Sequence, residues 1–93
     1  MLAVLHAGAE AFGMEVRREI ETRTGREVAI GAVYATLDRL EAKRLISSSR
    51  LRSEGGSRRV FRVTAAGARA LAATRDMREA LWSGIDLQKL ATR

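Results

Sequence analysis

Residues 30–63 of the chain read IGAVYATLDRLEAKRLISSSRLRSEGGSRRVFRV, and this stretch decides the fold. Its first part repeats Val33, Leu37 and Leu40 at the spacing of one helix face. Its second part places β-favouring side chains around a Ser-Glu-Gly-Gly-Ser segment, which is typical of a β-hairpin with a glycine turn. The stretch therefore predicts a helix followed directly by a basic hairpin.

The side chains on the opposite face of this predicted helix are unusually small. Ala32, Ala35 and Thr36 lie there beside the longer Arg39 and Lys43. Small side chains let a helix approach another surface closely, and the DNA major groove, about 12 Å wide, admits one helix. A solvated helix with alanines on its surface explains this segment equally well when it is taken alone.

Helical spacing is also present before this stretch. Phe12, Val16 and Ile20 recur every four residues, and Gly25 follows the last turn. A glycine in this place takes the left-handed conformation that closes a helix. The pattern predicts a short apolar helix from Leu2 to about Gly8 and a longer helix over about residues 13–24.

The last third of the chain is alanine-rich and helical in pattern, with Thr64 as a fitting N-cap. Gly84 costs a helix interior up to about 1 kcal/mol, so it is expected to mark a kink or the end of the helix. We predict a terminal helix over about residues 66–86. The apolar positions of this block exceed what one small domain needs, and they are Leu71, Met77, Leu81, Trp82, Ile85 and Leu90.

Composition excludes most catalytic and metal chemistry. The chain has 93 residues, no Cys and one His, which leaves no disulfide, no thiolate and no set of zinc ligands. His6 is expected to be a packed or surface residue, and Ser47 to Ser49 lack a base partner. We therefore predict no enzyme, no catalytic residue, no metal and no cofactor. The apolar stretches are short and the start lacks a basic region, so a cytoplasmic protein without membrane contact is expected.

Positive charge is concentrated in one segment. The chain has a net charge of +6, and residues 44–62 hold six arginines against Glu54 alone. The planar arginine side chain suits paired contacts with phosphate and guanine. This charge distribution favours a nucleic acid as the partner of the predicted hairpin.

Three segments carry a resemblance to a known family. They are FGMEVRREIE at 12–21, GAVYATLDRLE at 31–41 and RRVFRVTAAG at 58–67. Together with the order of predicted elements, they resemble the PadR family of bacterial transcriptional regulators over about residues 2–85. The resemblance implies a mainly α fold with a small β-hairpin, namely a winged helix-turn-helix with a C-terminal dimerisation helix. We place the winged-helix domain at 1–64 and the dimerisation helix at 65–93, in one compact unit.

The resemblance implies a DNA-binding surface on the recognition helix and the wing. Arg39 is the best candidate for reading guanine, although a solvated or ion-paired Arg39 beside Asp38 is equally consistent with the sequence. Tyr34 is expected to be half-buried with its hydroxyl on the DNA side. The wing arginines alternatively form a charged edge that prevents sheet aggregation. The candidate DNA-binding residues are Gly31, Ala32, Tyr34, Ala35, Thr36, Arg39, Arg52, Arg58 and Arg59.

A second implied surface lies on the terminal helix. Trp82 is either a dimer anchor, which we prefer, or part of a pocket for an aromatic effector between two copies. The expected partners are double-stranded DNA, a second copy of the chain and a small-molecule effector of unidentified chemistry. The candidate dimer or effector residues are Leu71, Leu81, Trp82 and Ile85.

These observations predict a homodimeric repressor of the PadR type on a pseudo-palindromic operator. A protein-interaction module, or an architectural winged helix without operator specificity, is the alternative. Three positions depart from the family pattern. Ala29 stands where a Ser-like cap is frequent, Arg44 where a glycine often ends the recognition helix, and Ala65 where a proline is frequent in the first turn of the last helix. An arginine in a left-handed conformation costs on the order of 1 kcal/mol.

Overall fold

The computed structural model describes residues 1–8, 10–53 and 55–92. Within these residues, five helices and three strands follow in an order that confirms the predicted series of helices, hairpin and terminal helix. The elements are α1 (Leu2–Ala7), β1 (Ala11–Phe12), α2 (Gly13–Thr24), α3 (Ile30–Ala42), β2 (Ile46–Ser53), β3 (Gly56–Val63), α4 (Ala65–Trp82) and α5 (Leu87–Ala91).

The strands form one antiparallel sheet in the order β1-β3-β2. In the hairpin, Ile46 pairs with Val63 at the base and Ser53 with Gly56 at the tip, so the predicted wing is confirmed. Glu54, which belongs to the predicted turn, lies outside the described residues. The short strand β1 was not predicted. Phe12, expected on the inner face of α2, has an extended backbone instead and pairs with Val60 of β3.

Local interactions explain why α2 begins and ends where the sequence predicts. The Glu15 carboxylate accepts a hydrogen bond from the Phe12 backbone N–H at 2.9 Å, which satisfies a donor at the helix start. Gly25 closes the helix at φ 69° and donates its N–H to the Glu21 carbonyl. The predicted range of 13–24 is confirmed.

The core lies where the first three helices meet the sheet. Val33 and Leu37 of α3 are buried there as predicted, and Phe61 of β3 is fully enclosed. Tyr34 packs beside Phe61 with ring centroids 6.1 Å apart. The buried apolar residues are Val4, Ala11, Val16, Val33, Leu37, Ile46, Val60 and Phe61.

Helix α4 starts on the sheet and then leaves the body of the molecule. The Thr64 hydroxyl accepts from the Gly67 N–H at 3.0 Å, which confirms the predicted N-cap. The residues from 73 to 82 are exposed. The radius of gyration is 16.6 Å and the longest dimension 60 Å, whereas a compact chain of this length has a radius near 12 Å. The molecule is therefore elongated along α4.

The terminal helix is shorter than the predicted range of 66–86. Helix α4 ends at Trp82, and Gly84 has a left-handed backbone with φ 80°. Asp86 then caps the short helix α5 by accepting from the N–H groups of Gln88 and Lys89. Gly84 thus marks the end of the regular helix, because the chain turns there and restarts on a new N-cap.

Two departures noted in the sequence affect the ends of α3. Ala29 is its N-cap and makes no side-chain hydrogen bond there. Arg44 follows its last turn with φ 61°, a left-handed conformation that strains a residue with a Cβ. Among the described residues, no helix is both long enough and apolar enough to cross a membrane.

Candidate nucleic-acid interface

The outer face of α3 is exposed to solvent and carries small side chains. Gly31, Ala32 and Ala35 are exposed along it, and burial of Val33 and Leu37 on the opposite side fixes this orientation. A Cβ added at Gly31 would meet no atom of the described residues within 4 Å outside its own helix turn. A surface of this shape allows the helix backbone to approach a groove closely.

Arg39 is held over this face by its neighbour Thr36. Both residues are exposed, and the Arg39 Nη2 donates to the Thr36 Oγ1 at 3.2 Å. Asp38, which the sequence offered as an ion-pair partner for Arg39, instead lies 2.8 Å from Arg59. The Arg39 side chain therefore stays on the outer face.

Tyr34 packs between α3 and the start of α2. It is half-buried, as predicted, and its ring lies against the backbone of Gly13 at the start of α2. A Cβ at position 13 would lie 2.5 Å from the Tyr34 hydroxyl oxygen, so only glycine leaves room for the ring. Contact between this hydroxyl and DNA stays a prediction.

The turn between α2 and α3 is fixed by a carboxylate. Glu21 accepts a hydrogen bond from the Val28 backbone N–H at 3.1 Å and lies 3.5 Å from the Arg17 Nε. Because Val28 packs against the core, this bond anchors the segment that leads into α3. Arg17 thus lies beside an acidic partner on the helix that precedes α3.

The outer half of the hairpin carries exposed cations. Arg52 and Arg58 are both exposed, and the Arg58 guanidinium lies 4.8 Å from the Phe12 ring centroid. Arg50 donates to Ser57 at 3.4 Å across the two strands. Among the described residues of the outer hairpin, Arg50, Arg52 and Arg58 are exposed cations, as the sequence predicts.

Arg59 lies in a different setting from the exposed position expected near the tip. It pairs with Arg50 in the middle of the hairpin, and its side chain turns toward α3. Its Nη1 lies 2.8 Å from Asp38, its Nη2 contacts Glu41, and its Nε donates to the Ser48 Oγ at 3.1 Å. Each guanidinium nitrogen thus has a partner inside the chain.

Glu41 is the centre of this group. Its Oε1 accepts from the Ser48 hydroxyl at 2.7 Å and from the Ser48 N–H at 3.0 Å, while Arg59 occupies its other oxygen. The hydrogen bond from the Ser48 hydroxyl and then those from Arg59 and the Ser48 backbone lower the pKa of Glu41, against the opposing effect of burial. Burial opposes the charge of Arg59, yet Asp38 and Glu41 together raise its pKa. We call Asp38, Glu41, Ser48 and Arg59 the wing clamp.

A second set of exposed side chains, on α1, α4, α5 and the turn between α4 and α5, is apolar, and we call it the apolar surface. Leu81 is 74% exposed and Trp82 49% exposed, whereas Leu71 is half-buried beside α1. A groove of about 480 Å³ separates α1 from α4, with Leu2, Leu5 and Leu71 along its walls. The exposed large apolar residues of this surface are Leu2, Leu5, Met77, Leu81, Trp82, Ile85, Leu87 and Leu90.

Residues 1–73 match the sequence profile of the Transcriptional regulator PadR-like family. The chain belongs to this family. A relative, the transcriptional regulator Rv3488 of Mycobacterium tuberculosis, is 40% identical over 82 residues, which cover 86% of this chain and 76% of the relative. The resemblance seen in the sequence is confirmed.

Solved structures confirm the winged-helix fold of this PadR-like chain. A PadR family transcriptional regulator from Eggerthella lenta DSM 2243 superposes with a TM-score of 0.75 at 22% identity, covering 97% of this chain and 80% of that chain. A winged-helix DNA-binding protein of STIV gives 0.71 at 15% identity, covering 91% and 88%. The chain is thus a transcriptional regulator of the PadR type with a winged-helix architecture.

Sequence reasoning missed three features of this region. The wing clamp was not found, although Asp38, Glu41 and Arg59 carry charges of opposite sign on adjacent elements. Gly13 was not singled out, and the close approach of Tyr34 gives no signal in a single sequence. Gly67 was noted only as part of a motif, and its close approach to the Leu45 carbonyl was not predicted.

Proposed function

We propose that this PadR-like regulator is a homodimeric repressor that binds a pseudo-palindromic DNA operator. The observation that carries the proposal is the open, small outer face of α3 beside a wing with exposed arginines. In a helix-turn-helix protein this geometry inserts the helix into the major groove while the wing contacts the backbone or the minor groove. The proposed base-reading residue is Arg39, because its guanidinium suits a guanine edge.

The proposed DNA-binding residues divide into two groups. Arg39 and Thr36 are assigned to bases, since Thr36 orients Arg39 through its hydrogen bond. Arg52 and Arg58 are assigned to phosphates, which position the protein without reading sequence. Gly31, Ala32 and Ala35 are assigned to close approach along α3, and the Tyr34 hydroxyl is assigned to a phosphate.

The proposed dimer uses the apolar surface of α1, α4 and α5. Clusters of exposed large apolar side chains are typical of interaction sites. Trp82 is suited to its centre because interface cores favour tryptophan. Two copies related by a two-fold axis would place their α3 helices roughly 34–36 Å apart, which is one turn of DNA. A small-molecule effector at this interface is part of the proposal, with its chemistry left to screening.

The test is binding of the purified protein to DNA from its own upstream region and to random DNA of equal length. Fluorescence anisotropy across a salt series measures both affinities. Preference for the upstream fragment with a steep loss of affinity at higher salt supports an operator-specific regulator. Equal binding to both fragments would contradict operator specificity and favour an architectural role. Transcription from a promoter that carries the bound fragment then tests repression, which requires less transcript at saturating protein.

A further inference from the structure

We propose that Arg59 is a positioning residue of the DNA-binding unit. Arg59 neutralises two carboxylates of the recognition helix and fixes the wing against that helix. The inference rests on the proposed function, because it assigns a role within DNA binding. It also replaces the direct DNA contact that the family resemblance implies for Arg59.

The geometry of the guanidinium supports this role. An arginine offers five N–H donors in a planar fork. In the wing clamp, Nη1 is directed to Asp38, Nη2 to Glu41 and Nε to Ser48. The guanidinium carbon also lies 4.7 Å from the Phe61 ring centroid. The side chain is 29% exposed, so it lies along the body of the protein.

The charges of the wing clamp affect DNA binding. Asp38 precedes Arg39 in the chain and follows Ala35 by about one helical turn, so it borders the outer face of α3. Its side chain is 57% exposed. A carboxylate near a phosphate backbone is repelled, and Arg59 offsets that repulsion for both Asp38 and Glu41. Removal of Arg59 would therefore leave two carboxylates without a cation beside them on the helix that enters the groove.

The clamp also joins three elements. Glu41 belongs to α3, Ser48 to β2 and Arg59 to β3, and hydrogen bonds connect all three. The wing cations Arg52 and Arg58 consequently keep a fixed position relative to Arg39. A protein that must fit a groove and the neighbouring backbone together gains from this preorganisation.

The decisive experiment is a rescue. Arg59→Met keeps the length and the apolar contact with Phe61 but removes the charge. We expect it to weaken DNA binding about tenfold, since it leaves unpaired charges. The triple variant with Asp38→Asn and Glu41→Gln added is expected to recover affinity to within about threefold of the wild type, because the repelling charges are gone. A triple variant that binds as weakly as Arg59→Met overturns the proposal.

A second variant covers the case in which Arg59→Met fails to fold, as judged by circular dichroism. Arg59→Lys keeps the charge, but a lysine lacks the planar fork that engages Asp38, Glu41 and Ser48 together. We expect weaker DNA binding by about threefold or more. Wild-type affinity in Arg59→Lys would overturn the proposal, because a lysine replaces an arginine well at a simple phosphate contact.

The matched control is Arg58→Met, a neighbouring wing arginine outside the clamp. Its loss of affinity is expected to persist when Asp38→Asn and Glu41→Gln are added. Rescue of Arg58→Met to the same extent as Arg59→Met would overturn the proposal, because neutral carboxylates would then raise affinity regardless of Arg59. Failure of the wild type to bind either DNA defeats the proposed function, whereas a binding wild type without rescue defeats only the role of Arg59.

Discussion

Gly67 lies directly against the carbonyl group of Leu45, and a Cβ at position 67 would stand 2.1 Å from that oxygen. The same carbonyl accepts the Thr64 backbone N–H at 3.0 Å. The Thr64 hydroxyl donates to the Arg44 carbonyl at 2.8 Å and accepts from the Gly67 N–H. Thr64 and Gly67 thus join α4 to the segment that connects the recognition helix with the wing, which explains the Thr-x-x-Gly motif at 64–67.

Gly67→Ala is expected to destabilise the fold by about 3 kcal/mol, because the new methyl group meets backbone rather than a movable side chain. Thermal unfolding measures the effect as a fall in Tm of roughly 10–20 °C. Gly31→Ala is the matched control, since a Cβ there meets open space and alanine favours a helix by about 1 kcal/mol. Equal stability of the two variants would contradict the close contact at Gly67.

Arg44→Gly is expected to stabilise the protein by up to about 1 kcal/mol. Arg44 has φ 61°, which glycine adopts without the clash of a Cβ. Denaturant unfolding measures the gain. Arg44→Ala removes the same charge but keeps the Cβ, so it is expected to give no gain. A similar rise in both variants would mean that charge, rather than backbone strain, is the cause.

Arg52→Ala and Arg58→Ala are expected to weaken DNA binding and reduce its salt dependence. Each phosphate contact contributes about 0.9 to the slope of log affinity against log salt concentration, so the double variant should lose nearly 2. Fluorescence anisotropy at several salt concentrations provides the slope. The matched control is Arg69→Ala on α4, an exposed arginine outside the wing and outside the groove between α1 and α4, for which an unchanged slope is expected. An unchanged slope in the double variant would remove the wing from the DNA contact.

Trp82→Ala is expected to weaken the proposed dimer by at least tenfold, because large aromatic residues dominate such interfaces. Sedimentation velocity over a concentration series measures the association. Leu51→Ala is the matched control, since Leu51 is 47% exposed and Trp82 49% exposed, but Leu51 lies on the wing. A dimer that Trp82→Ala leaves intact would place Trp82 outside the interface.

The stability of the wing clamp is expected to depend on pH. The clamp lowers the pKa of Glu41 from its ordinary value of 4.5, so the folded state prefers the ionised carboxylate. This contribution is complete above pH 4.5 and is lost as the pH falls through the lowered folded value. Denaturant unfolding between about pH 6 and pH 3 should therefore show a smaller acid loss in Glu41→Gln than in the wild type. Identical losses would contradict the assignment.

The sequence predicted the elements whose signals are local. The stripe of Val33 and Leu37, the closing Gly25 and the Thr64 cap each depend on neighbours within one or two helical turns, and all three are confirmed. Strand β1 was missed because two residues are too few to show the alternation of apolar and polar side chains that marks a strand. Its pairing partner also lies about fifty positions away in the chain.

The candidate interface was predicted less completely. The exposed positions on α3 follow from helix periodicity, so their placement was accessible from the sequence. The position of Arg59 depends on the hairpin register relative to α3, which no local pattern records. For the same reason, an arginine that pairs inside the protein and an arginine that contacts DNA are indistinguishable in a single sequence.

Because α4 projects from the sheet, a small rotation at its base produces a large displacement at its far end. Its 18 residues span about 27 Å, and its base is the Thr64 and Gly67 joint next to the end of the recognition helix. A tilt of about 5° at this joint moves the far end of a helix of that length by roughly 2 Å. A displacement near Trp82 that tilted the whole of α4 would therefore move its base, where the recognition helix and the wing meet.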